Sequence, residues 1–124
     1  MGSKNVGIYL SRLRTLRGMS RARLALLANT TEMSLLRIEK QGQEPSSGLF
    51  IRLMSTLGGS WDVASKLETI SDEDIEAVHK IVADELAPLP VETPQEESRM
   101  DRLLRLLADG LSPQEAARRT LHQP

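Results

Sequence analysis

Cysteine is absent from the chain, which removes disulfide scaffolds, thiol nucleophiles and cysteine metal sites together. Aromatic residues are nearly absent: one Trp, one Tyr and one Phe make up 2% of a chain that is 40% hydrophobic. A core must then be built from Leu, Ile, Val, Met and Ala, which favours helix on helix over a β-sandwich, whose strands prefer aromatic and β-branched side chains. No apolar run approaches the roughly 18 residues that span a bilayer, and no long apolar stretch follows Lys4, so neither a membrane span nor a signal peptide is expected. The missing cysteines fit a reducing cytoplasm.

Catalytic signatures are missing too. His79 and His122 stand alone, with no second ligand four residues on, so no metal or cofactor is expected. Asp72, Glu73, Asp74 and Glu76 lie within one helical turn as a solvated charge run, and no glycine-rich phosphate loop or Ser/His/Asp ordering is present. The chain reads as non-enzymatic.

A charge of one sign is scarce in each half. Residues 1–67 carry ten Lys and Arg against four acids, a net of +6; residues 68–124 carry six against thirteen, a net of −7. The overall charge of −1 hides this division. A positive half suits phosphate, whose neutralisation releases counterions and drives sequence-independent DNA affinity. At 124 residues there is room for one small domain and an appendage.

Helical periodicity fills what remains. Val6, Leu10, Leu13 and Leu16 mark an amphipathic helix that Gly18 ends. Ser20 caps a second helix, Arg21 to Leu27, with Leu24, Ala25 and Ala28 facing the core; Asn29 suits a left-handed turn, and Thr31 caps a third helix to about Lys40. After the loop at 42–47, Phe50, Leu53, Met54 and Leu57 share a face of a fourth helix, and Ser60 opens a fifth from Trp61 to about Leu67, with Trp61 placed in the core. In the acidic half, Asp72 to about Leu86 carries a stripe of Ile75, Val78, Val82 and Leu86. Pro88, Pro90 and Pro94, among glutamates, form a linker over 88–97. Beyond it Met100, Leu103, Leu104, Leu106 and Leu107 make a second stripe ending at Asp109-Gly110, and Ser112-Pro113 starts a last helix.

Two helices joined by three or four residues must cross steeply, each burying an apolar stripe, and the outer face of the second is polar and narrow enough for a major groove about 12 Å wide. Gly7, Leu10, Leu13-Arg14, Arg17-Gly18-Met19-Ser20, Leu24-Ala25, Leu35, Arg37-Ile38-Glu39, Pro45-Ser46, Leu57-Gly58 and Ser60-Trp61-Asp62 fall in one ungapped register. In this, Val6 to Leu67, about half the chain, resembles the Cro/repressor (Xre-like) class of helix-turn-helix transcriptional regulators. The resemblance implies an all-α protein: a five-helix, lambda-repressor-like DNA-binding domain over 1–68, a connecting helix over 69–87, the linker, and a helical hairpin over 98–124 as a dimerisation region.

Carried onto these positions, the resemblance implies that Glu32, Met33, Leu36 and Arg37 face base edges, and that Arg21, Thr31, Ser34, Lys40, Gln43 and Arg17 contact phosphate. Glu32 is acidic where the class often has Arg or Gln, and Arg21 stands where it usually has Gln. Arg37 has an alternative as a surface ion-pair partner of Glu39 or Glu44. The class usually binds two half-sites as a dimer, and Ile75, Val78, Val82, Leu86, Leu103, Leu104 and Leu107 are expected to form the homodimer interface, since neither stripe has an obvious partner within so short a chain. The expected function is a sequence-specific regulator, a repressor acting on double-stranded DNA in a bacterial or phage cytoplasm. The alternative is an antitoxin-like module whose acidic half binds a partner protein.

Overall fold

The computed structural model describes residues 3–85 and 98–121, with side chains over 5–84 and 98–119. Leu86 and the 88–97 linker lie outside these residues. The protein is all-helical: α1 (Ser3–Leu16), α2 (Arg21–Leu27), α3 (Glu32–Gln41), α4 (Ser47–Leu57), α5 (Trp61–Ala64), α6 (Asp72–Glu85), α7 (Arg99–Ala108) and α8 (Pro113–Leu121), with no strand among the described residues. None of these helices is long and apolar enough to cross a membrane.

Hydroxyl caps start the helices, at Ser20, Thr31, Ser60 and Ser112 as their sequence predicts and at three further serines. Ser20, Thr31, Ser46, Ser60 and Ser98 each accept a hydrogen bond from the backbone N–H three residues on, and Ser71 and Ser112 do the same for Asp74 and Glu115. The fifth helix is shorter than its expected span to Leu67. It stops at Ala64, and a 3₁₀ turn over Leu67–Thr69 leads into α6.

One hydrophobic core runs through both halves of the chain, from Tyr9 to Ala117, and crosses the boundary expected at residue 68. Helix α1 is its axis, packing on α3, α4 and α6. Gly7 permits the approach to α3. A Cβ there would lie 2.1 Å from the Ile38 carbonyl oxygen, so α1 meets the backbone of α3 directly. Glycine inside a helix costs about 1 kcal/mol against alanine, and here it is what lets the two helices meet.

The acidic half is part of this core, which overturns the expected dimer interface. Ile75, Val78, Val82, Leu103, Leu104 and Leu107 are all buried within the single chain, the first two and Leu103 and Leu104 completely. The physical reason is that the two stripes partner each other: α6 packs on α7, on α8 and on α1, and α7 on α5. Side chains closed inside one chain do not form a face for a second copy.

A polar network fastens α7 to the basic half. Asp101, fully buried, accepts hydrogen bonds from the Tyr9 hydroxyl at 2.6 Å and the Ser98 hydroxyl at 2.7 Å. Tyr9 Oη in turn accepts from the Ser60 N–H at 3.2 Å, where α5 begins. Burial, and then the neighbouring Asp101 carboxylate, hold the Tyr9 hydroxyl well above its ordinary pKa, so it stays a donor. At the rim Arg105 reaches Asp62 at 3.1 Å.

Candidate nucleic-acid interface

Helices α2 and α3 are held at their junction by backbone chemistry. Asn29 takes a left-handed φ of 55°, and the Thr30 N–H reaches back to the Ala25 carbonyl at 2.9 Å, closing the last turn of α2. From α4, Arg52 donates Nε to the Ala28 carbonyl at 2.8 Å, so a third helix pins this turn. Leu24, Ala25 and Ala28 of α2 and Leu35 and Ile38 of α3 are buried, as their spacing predicts.

The opposite side of α3 is open. Glu32 and Arg37 are exposed, Met33 is 53% exposed, and Leu36 is half-buried. Four side chains expected to face bases therefore share one accessible helix face, with the N-terminal turn of α3 at its head. Arg37 forms no ion pair among the described residues: of its two expected alternative partners, Glu39 turns inward and is taken by other arginines, and Glu44 is exposed and pairs with no cation among the described residues.

The residues expected at phosphates divide into three groups. Lys40 and Gln43 are exposed at the end of α3, and Thr31 is exposed while its Oγ1 caps the Ser34 N–H at 3.1 Å; Ser34 itself is half-buried. Arg21 is partly exposed and donates Nε to Glu39 at 2.9 Å. Arg17 is a correction. Its Nε donates to the Leu57 carbonyl at 2.8 Å and its Nη2 to that of Gly58 at 3.3 Å, so its guanidinium caps the carbonyl end of α4 and is not available to a phosphate.

Trp61 is a second correction. It is 52% exposed, with its ring edge-on to Phe50 at a centroid distance of 5.6 Å and an interplanar angle of 90°. Val63, not the indole, is the residue of α5 that points inward.

Two residues at the centre of this region, Glu39 and Arg14, were given no role in the site by their sequence pattern; Arg21, the third member of their cluster, was. Glu39 has 1% of its side chain accessible and receives Arg14 in two bonds, from Nε at 2.9 Å and Nη2 at 3.0 Å, besides that from Arg21. Arg14 Nη1 also donates to the Met19 carbonyl at 2.8 Å, just before the cap of α2. Spacing along one helix cannot reveal such a cluster, because its members come from three helices; the polar Glu39 beside Ile38 was the one available signal.

No family model, curated protein or solved structure matches this chain. The chemistry of the surface must therefore be judged on its own residues. No group of three or more His, Asp or Glu among the described residues is placed to hold a metal ion. A shallow cleft of about 190 Å³ is lined by Ala77, Lys80, Ile81, Asp84 and Gln114.

Proposed function

We propose that the protein is a sequence-specific, double-stranded-DNA-binding transcriptional regulator of the helix-turn-helix type, with α1–α5 as its lambda-repressor-like DNA-binding unit and α3 as the helix that enters the major groove. The observation that carries this reading is the open face of α3. Glu32, Met33, Leu36 and Arg37 stand together on a helix tied through Glu39 to Arg14 of α1 and Arg21 of α2, in a half of the chain with a net charge of +6. Arg37 reads a guanine through O6 and N7, Glu32 accepts from a cytosine N4 amine, and Met33 and Leu36 suit a thymine methyl. Thr31, Ser34, Lys40, Gln43 and Arg21 address the backbone and set register.

Regulation is by occlusion of a promoter, as a repressor, from the cytoplasm. A two-fold operator calls for a homodimer, and its interface lies on a surface other than the α6 and α7 stripes. The antitoxin-like alternative is weakened, since those same stripes are the apolar surface a protein partner would have used.

Selection from a random duplex pool, at low salt and at about 0.15 M, tests the reading. The expected result is an enriched sequence in which Arg37→Ala relaxes one or two positions, at a cost of about 1–3 kcal/mol. Failure to enrich any sequence over bulk DNA at the higher salt would overturn it.

A further inference from the structure

We infer that Glu39 is a positioning residue for DNA-backbone binding, acting by orienting Arg21 so that the outer edge of its guanidinium meets a phosphate. This deepens the proposed function and rests on it. Guanidinium is planar, with donors along two edges, one formed by Nε and one Nη, the other by the two Nη atoms. In this structure Nε is committed to Glu39 Oε1 at 2.9 Å, and among the described residues no other hydrogen bond holds the group. The Nη edge is left as a two-donor fork at the first residue of α2, on a side chain 31% accessible to solvent.

Two further observations show that the anchor of that fork is fixed. Glu39 cannot swing out to follow Arg21, because both its oxygens are held by Arg14 and its side chain is 1% accessible. The carboxylate is thus a rigid anchor on α3, and Arg14, bonded to the Met19 carbonyl, ties the start of α2 to the same anchor. Two arginines share one carboxylate, so the cluster retains one positive charge, and it is carried by the accessible member. A charge-assisted fork of this kind matches two phosphate oxygens at once, and its orientation is set before DNA arrives.

Positioning and plain charge predict opposite results. Lysine at position 21 keeps the charge, but its single ammonium cannot serve the carboxylate and a phosphate as a fork does. Replacing Glu39 by Gln adds a net positive charge, which by long-range attraction alone strengthens binding.

The test measures binding of the full chain to a random-sequence duplex of about 30 base pairs, across a salt series, since backbone contacts do not depend on sequence. Expected results are a wild-type affinity that falls steeply with salt, a loss of about threefold to tenfold for Arg21→Lys, and a loss of similar size for Glu39→Gln. The dependence of log affinity on log salt flattens by about 0.9 in Arg21→Ala, which removes one phosphate contact. Arg21→Lys binding like wild type, or folded Glu39→Gln binding as tightly or more tightly, overturns the inference while leaving the DNA-binding reading in place. A wild-type chain with no salt-dependent binding overturns both. Circular dichroism shows whether Glu39→Gln is folded, and if it is not, Arg21→Lys decides alone.

Discussion

Helices α3 and α7 are each ten residues long, each starts at a hydroxyl cap, and each buries one carboxylate, yet they end in opposite situations. The carboxylate of α3, Glu39, is bracketed by two guanidinium groups, and the face behind it stays open, with Met33 half in solvent. On α7, Asp101 is closed in by Tyr9 and Ser98, and Met100, Leu103, Leu104 and Leu107 of its apolar stripe are buried by the chain itself, with Leu106 half-buried. Their sequences are both amphipathic. What separates them is whether a neighbouring element arrives to cover the second face. For α7 the neighbours are α5, α6 and α8; for α3 they are α1 and α2 on one side only. An open face is thus a property of position in the fold, and it makes α3, not α7, the candidate for binding another molecule.

The sharpest way to break this comparison is at the buried carboxylate of α7. Asp101→Ala leaves two buried hydroxyls, of Tyr9 and Ser98, without their acceptor and should cost about 4 kcal/mol, read as a lowered midpoint in urea denaturation. An unchanged midpoint would show that α7 is not docked on α1. Next in size, Leu104→Ala should lose about 3 kcal/mol by leaving a cavity in a fully buried stripe, whereas Met33→Ala on the open face should stay within about 0.5 kcal/mol. Equal effects at the two positions would erase the distinction between the helices. Gly7→Ala forces a methyl group against the Ile38 carbonyl and should cost about 2 kcal/mol, with duplex affinity falling as α3 shifts against α1.

The smallest expected effect is a pH dependence located in α6. His79 is partly buried, its Nε2 has no hydrogen-bond partner among the described residues, and its pKa is held below the usual 6.5 by burial first and by nearby Arg12 second. The unfolded chain therefore binds a proton more readily than the folded one. Its contribution is fully present above about pH 6.5 and declines as pH falls through the ordinary imidazole range toward the lower folded value. Denaturation midpoints for wild type and His79→Gln should diverge below pH 6.5 and run parallel above it. Parallel curves throughout would remove His79 from the account.

Local elements were legible from the sequence because their causes are local. A serine or threonine accepts the N–H three residues on, and Asn29 tolerates a left-handed turn, whatever lies elsewhere in the chain. The inward set Leu24, Ala25, Leu35 and Ile38 was legible for the same reason, since 3.6-residue periodicity records which side is apolar. Arg17 and Trp61 were misjudged because their partners, the α4 carbonyls and Phe50, lie 11 to 41 residues away and leave no trace in local spacing. The dimer stripes were misjudged for a related reason: an apolar face shows that something covers it, not which chain supplies the cover.

By itself, then, the sequence determined an all-helical chain, its helix starts and turns, the inner faces of α2 and α3, and the division of charge between its halves. Tertiary structure alone decided that the acidic half closes onto α1, that Tyr9 and Asp101 join inside the core, and that Glu39 gathers Arg14 and Arg21 from two other helices. Capping and periodicity act over one to four residues and are written in order along the chain. Burial and ion pairing act through space, over about 3–4 Å, between residues as far apart in sequence as Tyr9 and Asp101.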